Sequence, residues 1–115
     1  MLIPATLRAY VCATPVDMRK SIDGLALLVQ PLFELDALSG HLFVFLSRGR
    51  DKVKVLYWDR HGFALWYKRL ERGRFALPGE LAQRGLCAAE LMLWLEGIDL
   101  QRTRRLRSVE VRRVG

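Results

Sequence analysis

Cysteine is nearly absent from this sequence, with Cys12 and Cys87 the only two among 115 residues. Two thiols with no CxxC pairing and no histidine-rich neighbour exclude a disulfide framework and a structural zinc site, and both read as small core hydrophobes. Histidine is equally scarce: His41 and His61 stand where a strand starts and where a turn falls. There is no paired-histidine metal motif, no Gly-x-Ser-x-Gly elbow and no glycine-rich loop ending in Lys-Ser/Thr. Acid clusters are lacking too. Asp17, Asp23, Asp51 and Asp59 are accounted for by helix starts and turns, which leaves no carboxylate group to hold magnesium for phosphodiester cleavage. A non-enzymatic role without metal or cofactor is the expectation.

Long apolar runs are also missing. None approaches the roughly 18 residues needed to cross a bilayer, and the opening MLIPATLRAY lacks the basic-then-apolar order of a secretory leader. A cytoplasmic protein is expected. With 51% hydrophobic and 27% charged residues, the composition is that of one folded domain, and no internal repeat or low-complexity segment interrupts it.

What is present in excess is positive charge, unevenly placed. The formal net charge is +7; residues 1–47 hold three cations against four acids, 48–74 nine against three, 75–101 one against four, and 102–115 six against one. Two basic blocks carry the surplus. Such clustering suits a polyanion, because each neutralised phosphate releases condensed counterions; a solvated basic surface is the alternative.

The first block lies in a stretch of strand formers, His41 to Phe75. Leu42–Leu46, Lys52–Trp58 and Phe63–Leu70 read as strands, separated by turns at 47–51 and 59–62 that contain Gly and Asp. Closing these turns places Leu42, Val44, Leu46, Val53, Val55, Tyr57, Ala64 and Trp66 on one face. Phe43, Phe45, Lys52, Lys54, Leu56, Trp58, Phe63, Leu65, Tyr67 and Arg69 fall on the other. The first face is apolar and requires cover; the second mixes aromatics with cations and sets Lys52 opposite Arg69. Like charges across strands repel, and a bound anion is one way to relieve them. Snorkelling of long cationic side chains over a second apolar layer is the other.

Around this stretch, Arg8–Cys12 reads as a short edge strand. A helix capped by Asp17 follows, with Met18, Ile22, Leu25, Val29 and Leu32 as a stripe to cover the apolar face. Pro31 is expected to kink the helix or end it near Gln30, and Gly24 suggests a close approach to the sheet. Arg19 and Lys20 in the first turn form a possible phosphate site with free helix amides, or else Arg19 pairs with Asp23. Phe75–Leu77 is a candidate last strand. A second helix spans about Ala88–Glu96, closed by Gly97 with Ile98 folding back. Its residues Leu91–Leu95 are apolar almost all round, so Leu91, Trp94 and Leu95 are either core or a possible partner interface. The expected fold is α+β, a largely antiparallel sheet of four to five strands packed with two helices over residues 1–101. Residues 102–115 form a basic Arg-rich tail with Arg102, Arg104, Arg105, Arg107, Arg112 and Arg113.

Several blocks together carry a family resemblance: Asp17-Met18-Arg19-Lys20, Asp23-Gly24-Leu25, Ser39-Gly40-His41-Leu42-Phe43-Val44-Phe45, Lys52 to Asp59, Tyr67-Lys68-Arg69-Leu70-Glu71, Gly73-Arg74-Phe75 and Leu95-Glu96-Gly97-Ile98-Asp99. From about residue 3 to residue 100 the chain resembles the TnpB accessory proteins encoded by the second reading frame of the bacterial insertion-sequence family numbered sixty-six. The RNA-guided nucleases also called TnpB are a different, larger group. Pro31 and the stretch from Pro78 to Leu86 depart from the usual pattern, and the tail lies outside the match. The resemblance implies a part in transposition beside a separate transposase that cuts and joins DNA, and it transfers no catalytic residues.

Together these readings describe a DNA-binding accessory factor. Arg48, Arg50, Lys52, Lys54, Lys68, Arg69, Arg72 and Arg74 would meet phosphates, Trp58 and Tyr67 would stack on bases, and the Arg tail would extend the contact. The alternative is a protein-interaction module that docks on the transposase or self-associates through the helix around Leu91–Leu95. DNA, the transposase, other proteins of the same element and a second copy are thus the expected partners, with no membrane contact.

Overall fold

The structure is a computed structural model and describes residues 6–101. Its centre is a four-stranded sheet in the order β1-β2-β3-β4. The strands are β1 (Ala9–Val11), β2 (Leu42–Leu46), β3 (Lys52–Asp59) and β4 (Gly62–Arg69). Between β1 and β2 lies the helix α1 (Ile22–Phe33), and after β4 come α2 (Glu80–Arg84) and α3 (Ala88–Leu95). β1 runs parallel to β2, while β2, β3 and β4 are joined antiparallel. The fold is α+β as expected, with one more helix than the sequence suggested. Among the described residues no helix is long and apolar enough to cross a membrane.

Hairpin registers follow from the alternation. The Ser47 N–H donates to the Lys52 carbonyl at 3.0 Å, and β3 and β4 pair Lys52 with Arg69, Val55 with Trp66 and Trp58 with Phe63. Phe75–Leu77 adds no strand. Phe75 is instead a fully buried plug, its ring stacked on Trp94 with centroids 4.9 Å apart.

Each sheet face carries its own core. On the first, Leu42, Val44, Leu46, Val53 and Val55 pack with Leu81, Leu86, Leu91, Trp94, Leu95 and Phe75. The Trp94 indole N–H, which burial would otherwise strand, donates to the Ala76 carbonyl at 2.6 Å. On the second, Phe43, Phe45 and Leu56 are sealed by Leu25 and Val29 of α1. The helix therefore covers the aromatic, cation-bearing face and not the uniformly apolar one. Connection explains this: a helix that links adjacent parallel strands crosses over with one handedness, and that handedness selects the face.

Helix ends depart from expectation in related ways. α1 starts after Ser21, because the Val16 N–H is bonded to the Leu46 carbonyl at 3.0 Å and keeps the chain extended along the sheet. Asp17 caps a separate turn, accepting the Arg19 N–H at 2.9 Å. Pro31 lies inside α1, which continues to Phe33 and stops at Glu34 in the left-handed region, φ 56°. In the last turn a proline sacrifices one helical bond, and Leu27, whose carbonyl loses it, lies on the exposed side. Gly24 approaches the Lys20 side chain and not the sheet. At the end of α3, Gly97 takes φ 90° and donates to Trp94 while Ile98 donates back to Leu93, the double closure that glycine permits.

α3 begins with Glu90 accepting the Cys87 N–H at 3.0 Å and the Arg84 guanidinium at 2.8 Å. Burial works against this carboxylate, but the bonds from Cys87 and Arg84 outweigh it and hold its pKa below the ordinary 4.5. A depressed folded-state value means stabilisation that is present above pH 4.5 and lost as pH falls through the folded pKa. Glu90→Gln should flatten the acid-side fall of unfolding free energy, followed by urea denaturation at a series of pH values; a slope equal to wild type would show that the bonds do not persist in solution.

Candidate nucleic-acid interface

The basic site is assembled at one end of the sheet. In the turn between β2 and β3, the Ser47 hydroxyl donates to Asp51 Oδ1 at 3.1 Å and accepts the Lys52 N–H at 3.2 Å. Arg50 closes this turn with φ 58°, a left-handed conformation that costs an L residue about 1 kcal/mol. Two backbone bonds then fasten the segment after β4 beside it, from the Leu70 N–H to the Asp51 carbonyl and from the Phe75 N–H to the Arg50 carbonyl, both 2.7 Å. Arg48, Arg50 and Lys52 thereby meet Arg69, Arg72 and Arg74 at the same edge of the molecule.

Acids neutralise only part of this set. Lys52 lies 3.3 Å from Asp51 and Arg69 lies 3.0 Å from Glu71. Each member of the cross-strand cation pair thus has its own carboxylate, and no bound anion is needed to relieve them. Burial disfavours the Asp51 carboxylate, yet the Ser47 hydroxyl and Lys52 ammonium hold its pKa below the ordinary range. The Glu71 bond and charge raise that of Arg69. Arg48, Arg72 and Arg74 are exposed, Arg50 is half-buried, and none of the four has an ion-pair partner among the described residues.

Lys54 and Lys68 serve the fold. Lys54 Nζ donates to the carbonyls of Met18 and Lys20, at 2.8 and 2.7 Å, pinning the turn before α1 to the sheet. It also lies 5.6 Å from the centre of the Tyr67 ring, which is 48% exposed. Lys68 points to the opposite face and donates to the Leu95 carbonyl at 2.9 Å, where the end of α3 favours a cation. Trp58 stands at the far end of β3 with its ring edge-on to Phe63 at 5.1 Å. Tyr67 pairs with Lys54, four residues or about 13 Å from Trp58 along the strand, so the two expected stacking rings are not neighbours.

Other candidates are redistributed. Arg19 and Lys20 precede α1 instead of occupying its first turn, and Arg19 pairs with Asp17 at 2.8 Å, not with Asp23. The side-chain and backbone bonds from Arg19 lower the Asp17 pKa to about 2. Leu91, Trp94 and Leu95 lie in the core, so they cannot form a docking surface. The exposed large apolar residues of α3 are Met92 and Leu93, which sequence reasoning did not separate from their buried neighbours. Arg60 was also passed over: it sits at the tip between β3 and β4 with φ 56°, exposed and 3.8 Å from Asp59. Its place two residues before a glycine in a tight hairpin was the available signal. Arg102, Arg104, Arg105 and Arg107 lie outside the described residues.

With this geometry in view, comparison with known proteins adds a family. The profile described as IS66 Orf2 like protein, TnpB_IS66, matches residues 7–105. The chain belongs to that family. Membership implies an accessory role in the transposition of an insertion sequence, distinct from the transposase itself. Two relatives come from Sinorhizobium fredii (strain NBRC 101917 / NGR234). Uncharacterized protein y4hO is 41% identical over 96 residues, covering 81% of this chain and 82% of that protein. Uncharacterized protein y4jC is 35% identical over 103 residues, 86% of each. No solved structure matches.

The geometry separates structural from free cations. Lys54→Met should lower unfolding free energy by about 1–2 kcal/mol, since two charge-assisted bonds are lost, whereas Arg72→Ala should stay within about 0.5 kcal/mol of wild type. Urea denaturation measures both, and equal effects would contradict the division.

Proposed function

We propose that this protein is a non-catalytic DNA-binding accessory factor in transposition of a bacterial insertion sequence, with cutting and joining left to a separate transposase. The observation that carries the reading is the convergence of exposed Arg48, Arg72 and Arg74 at one sheet end, from segments more than twenty residues apart in sequence, without acid partners among the described residues. Arginine forks match phosphate oxygens bidentately, and a cluster of them follows a nucleic-acid backbone. Arg50, Lys52 and Arg69 border the contact. Tyr67, one row inward, is the ring placed to stack on a base if the strands are locally opened.

Phosphate contacts of this kind position a duplex and carry no sequence information. Binding therefore weakens with salt, by about 0.9 in the logarithmic slope for each phosphate neutralised on B-form DNA. Fluorescence anisotropy with element-end duplex, random duplex and single strand, titrated across salt, tests this. Joint replacement of Arg48, Arg72 and Arg74 by Ala should reduce the slope by about 2–3 on every sequence, while Lys54→Met leaves it unchanged. An unaltered slope in the triple variant would remove this end of the sheet from the reading. A difference between element-end and random duplex would add end recognition to backbone binding.

A second reading, docking on the transposase, has its own observation. Met92 and Leu93 on α3, with Ile98 bonded back beside them, are 49%, 44% and 39% exposed and present an apolar strip. Leu93→Glu should then abolish a salt-resistant complex with the transposase without changing the fold, and an intact complex would count against it.

A further inference from the structure

The two edges of the sheet are treated differently. β1 is only three residues long, and its outer side is closed by Leu86, with Ala9 N–H to Leu86 O at 2.9 Å and Leu86 N–H to Ala9 O at 2.7 Å. β4 is eight residues long, and among the described residues nothing pairs with its outer side. Because the Ser47 N–H bonds the Lys52 carbonyl and the Leu70 N–H bonds that of Asp51, the groups of β3 alternate between neighbours in a known phase. Val53, Val55 and Tyr57 face β4. The β4 residues that answer them are Lys68, Trp66 and Ala64. The backbone N–H and C=O groups of Phe63, Leu65, Tyr67 and Arg69 consequently point away from the sheet.

Exposed edges of this length are usually blunted by proline, a bulge or inward charges. Here Gly62 to Tyr67 is an uncharged run with no proline, and charge appears only at Lys68 and Arg69. Phe63, Leu65 and Trp66 are half-buried and Tyr67 exposed, so the edge also presents a row of incompletely covered apolar side chains on both faces.

We infer that β4 is a self-association edge, on which the β4 of a second copy of this chain pairs antiparallel to give a continuous eight-stranded sheet. The edge is complementary to itself. A two-fold axis at Trp66 sets Phe63 against Arg69 and Leu65 against Tyr67 of the second copy, so all four outward residues of each strand exchange bonds, about eight between the chains. No cation faces a cation across the new ladder. The two Trp66 side chains meet at the axis as a non-hydrogen-bonded pair, the closest kind of cross-strand neighbour. The basic sheet ends are held about 20 Å apart along the strands, which allows chains of net charge +7 to associate. This pairing does not depend on DNA binding, and it is tested without nucleic acid.

Two measurements on the full chain decide it. Sedimentation equilibrium over about 5–200 μM should show conversion from the 13.3 kDa chain to twice that mass. Amide hydrogen exchange over the same range should slow at least about tenfold at Phe63, Leu65, Tyr67 and Arg69, with little change elsewhere. Tyr67→Pro removes one outward donor and leaves the bonds to β3 in place, and should abolish the heavier species. If that variant does not fold, the wild-type exchange pattern decides alone. A single mass at all concentrations with those amides unprotected would overturn the inference. So would a dimer that survives Tyr67→Pro but is dispersed by Leu93→Glu, since it would place the contact on α3.

Discussion

Burial of β2 on both faces is the constraint from which the rest of the architecture follows. Leu42, Phe43, Val44, Phe45 and Leu46 are all 2% exposed or less, and each such side chain withdrawn from water contributes about 2 kcal/mol. A strand buried on both sides needs a layer on each. α1 supplies one through Leu25 and Val29, and α3 with Phe75 and the residues of α2 supplies the other. Cover is thickest over the middle strands. The β4 edge and the ends of the sheet are left, among the described residues, to meet solvent.

That distribution explains where the positive charge lies. A cation on the sheet is either captured by a carbonyl of the covering layer, as Lys54 and Lys68 are, or displaced to the rim. Apart from Arg60 at the tip between β3 and β4, the rim cations of residues 48–74 gather at one end because the segment after β4 is tied by backbone bonds to the turn between β2 and β3. The basic surface is thus a product of the same packing that closes the two cores. Charge content and charge availability are separate quantities in a domain this small.

Much of the sheet was legible because its rule is local. Alternation along Lys52–Trp58 and Phe63–Leu70, with turns of evident composition, determines the hairpin register, and the observed pairs obey it. The closure of α3 at Gly97 and Ile98 was legible for the same reason: cap geometry depends on a few adjacent residues. The start of α1 was not, since it is set by the bond between Val16 and Leu46, thirty residues apart. Nor was the role of Trp94, whose apolar neighbours Met92 and Leu93 have the same hydrophobic character and the opposite exposure.

By itself the sequence determined the α+β class, the registers of the two hairpins, the excess of cations between residues 48 and 74, and the family blocks that mark an IS66 Orf2-like protein. These are properties of residue type and short spacing. Tertiary structure alone decided which sheet face α1 covers, which lysines are consumed by backbone carbonyls, and which edge of the sheet is left unpaired among the described residues. Those outcomes depend on the handedness of a crossover and on contacts between segments distant in the chain, and neither is written in a local pattern.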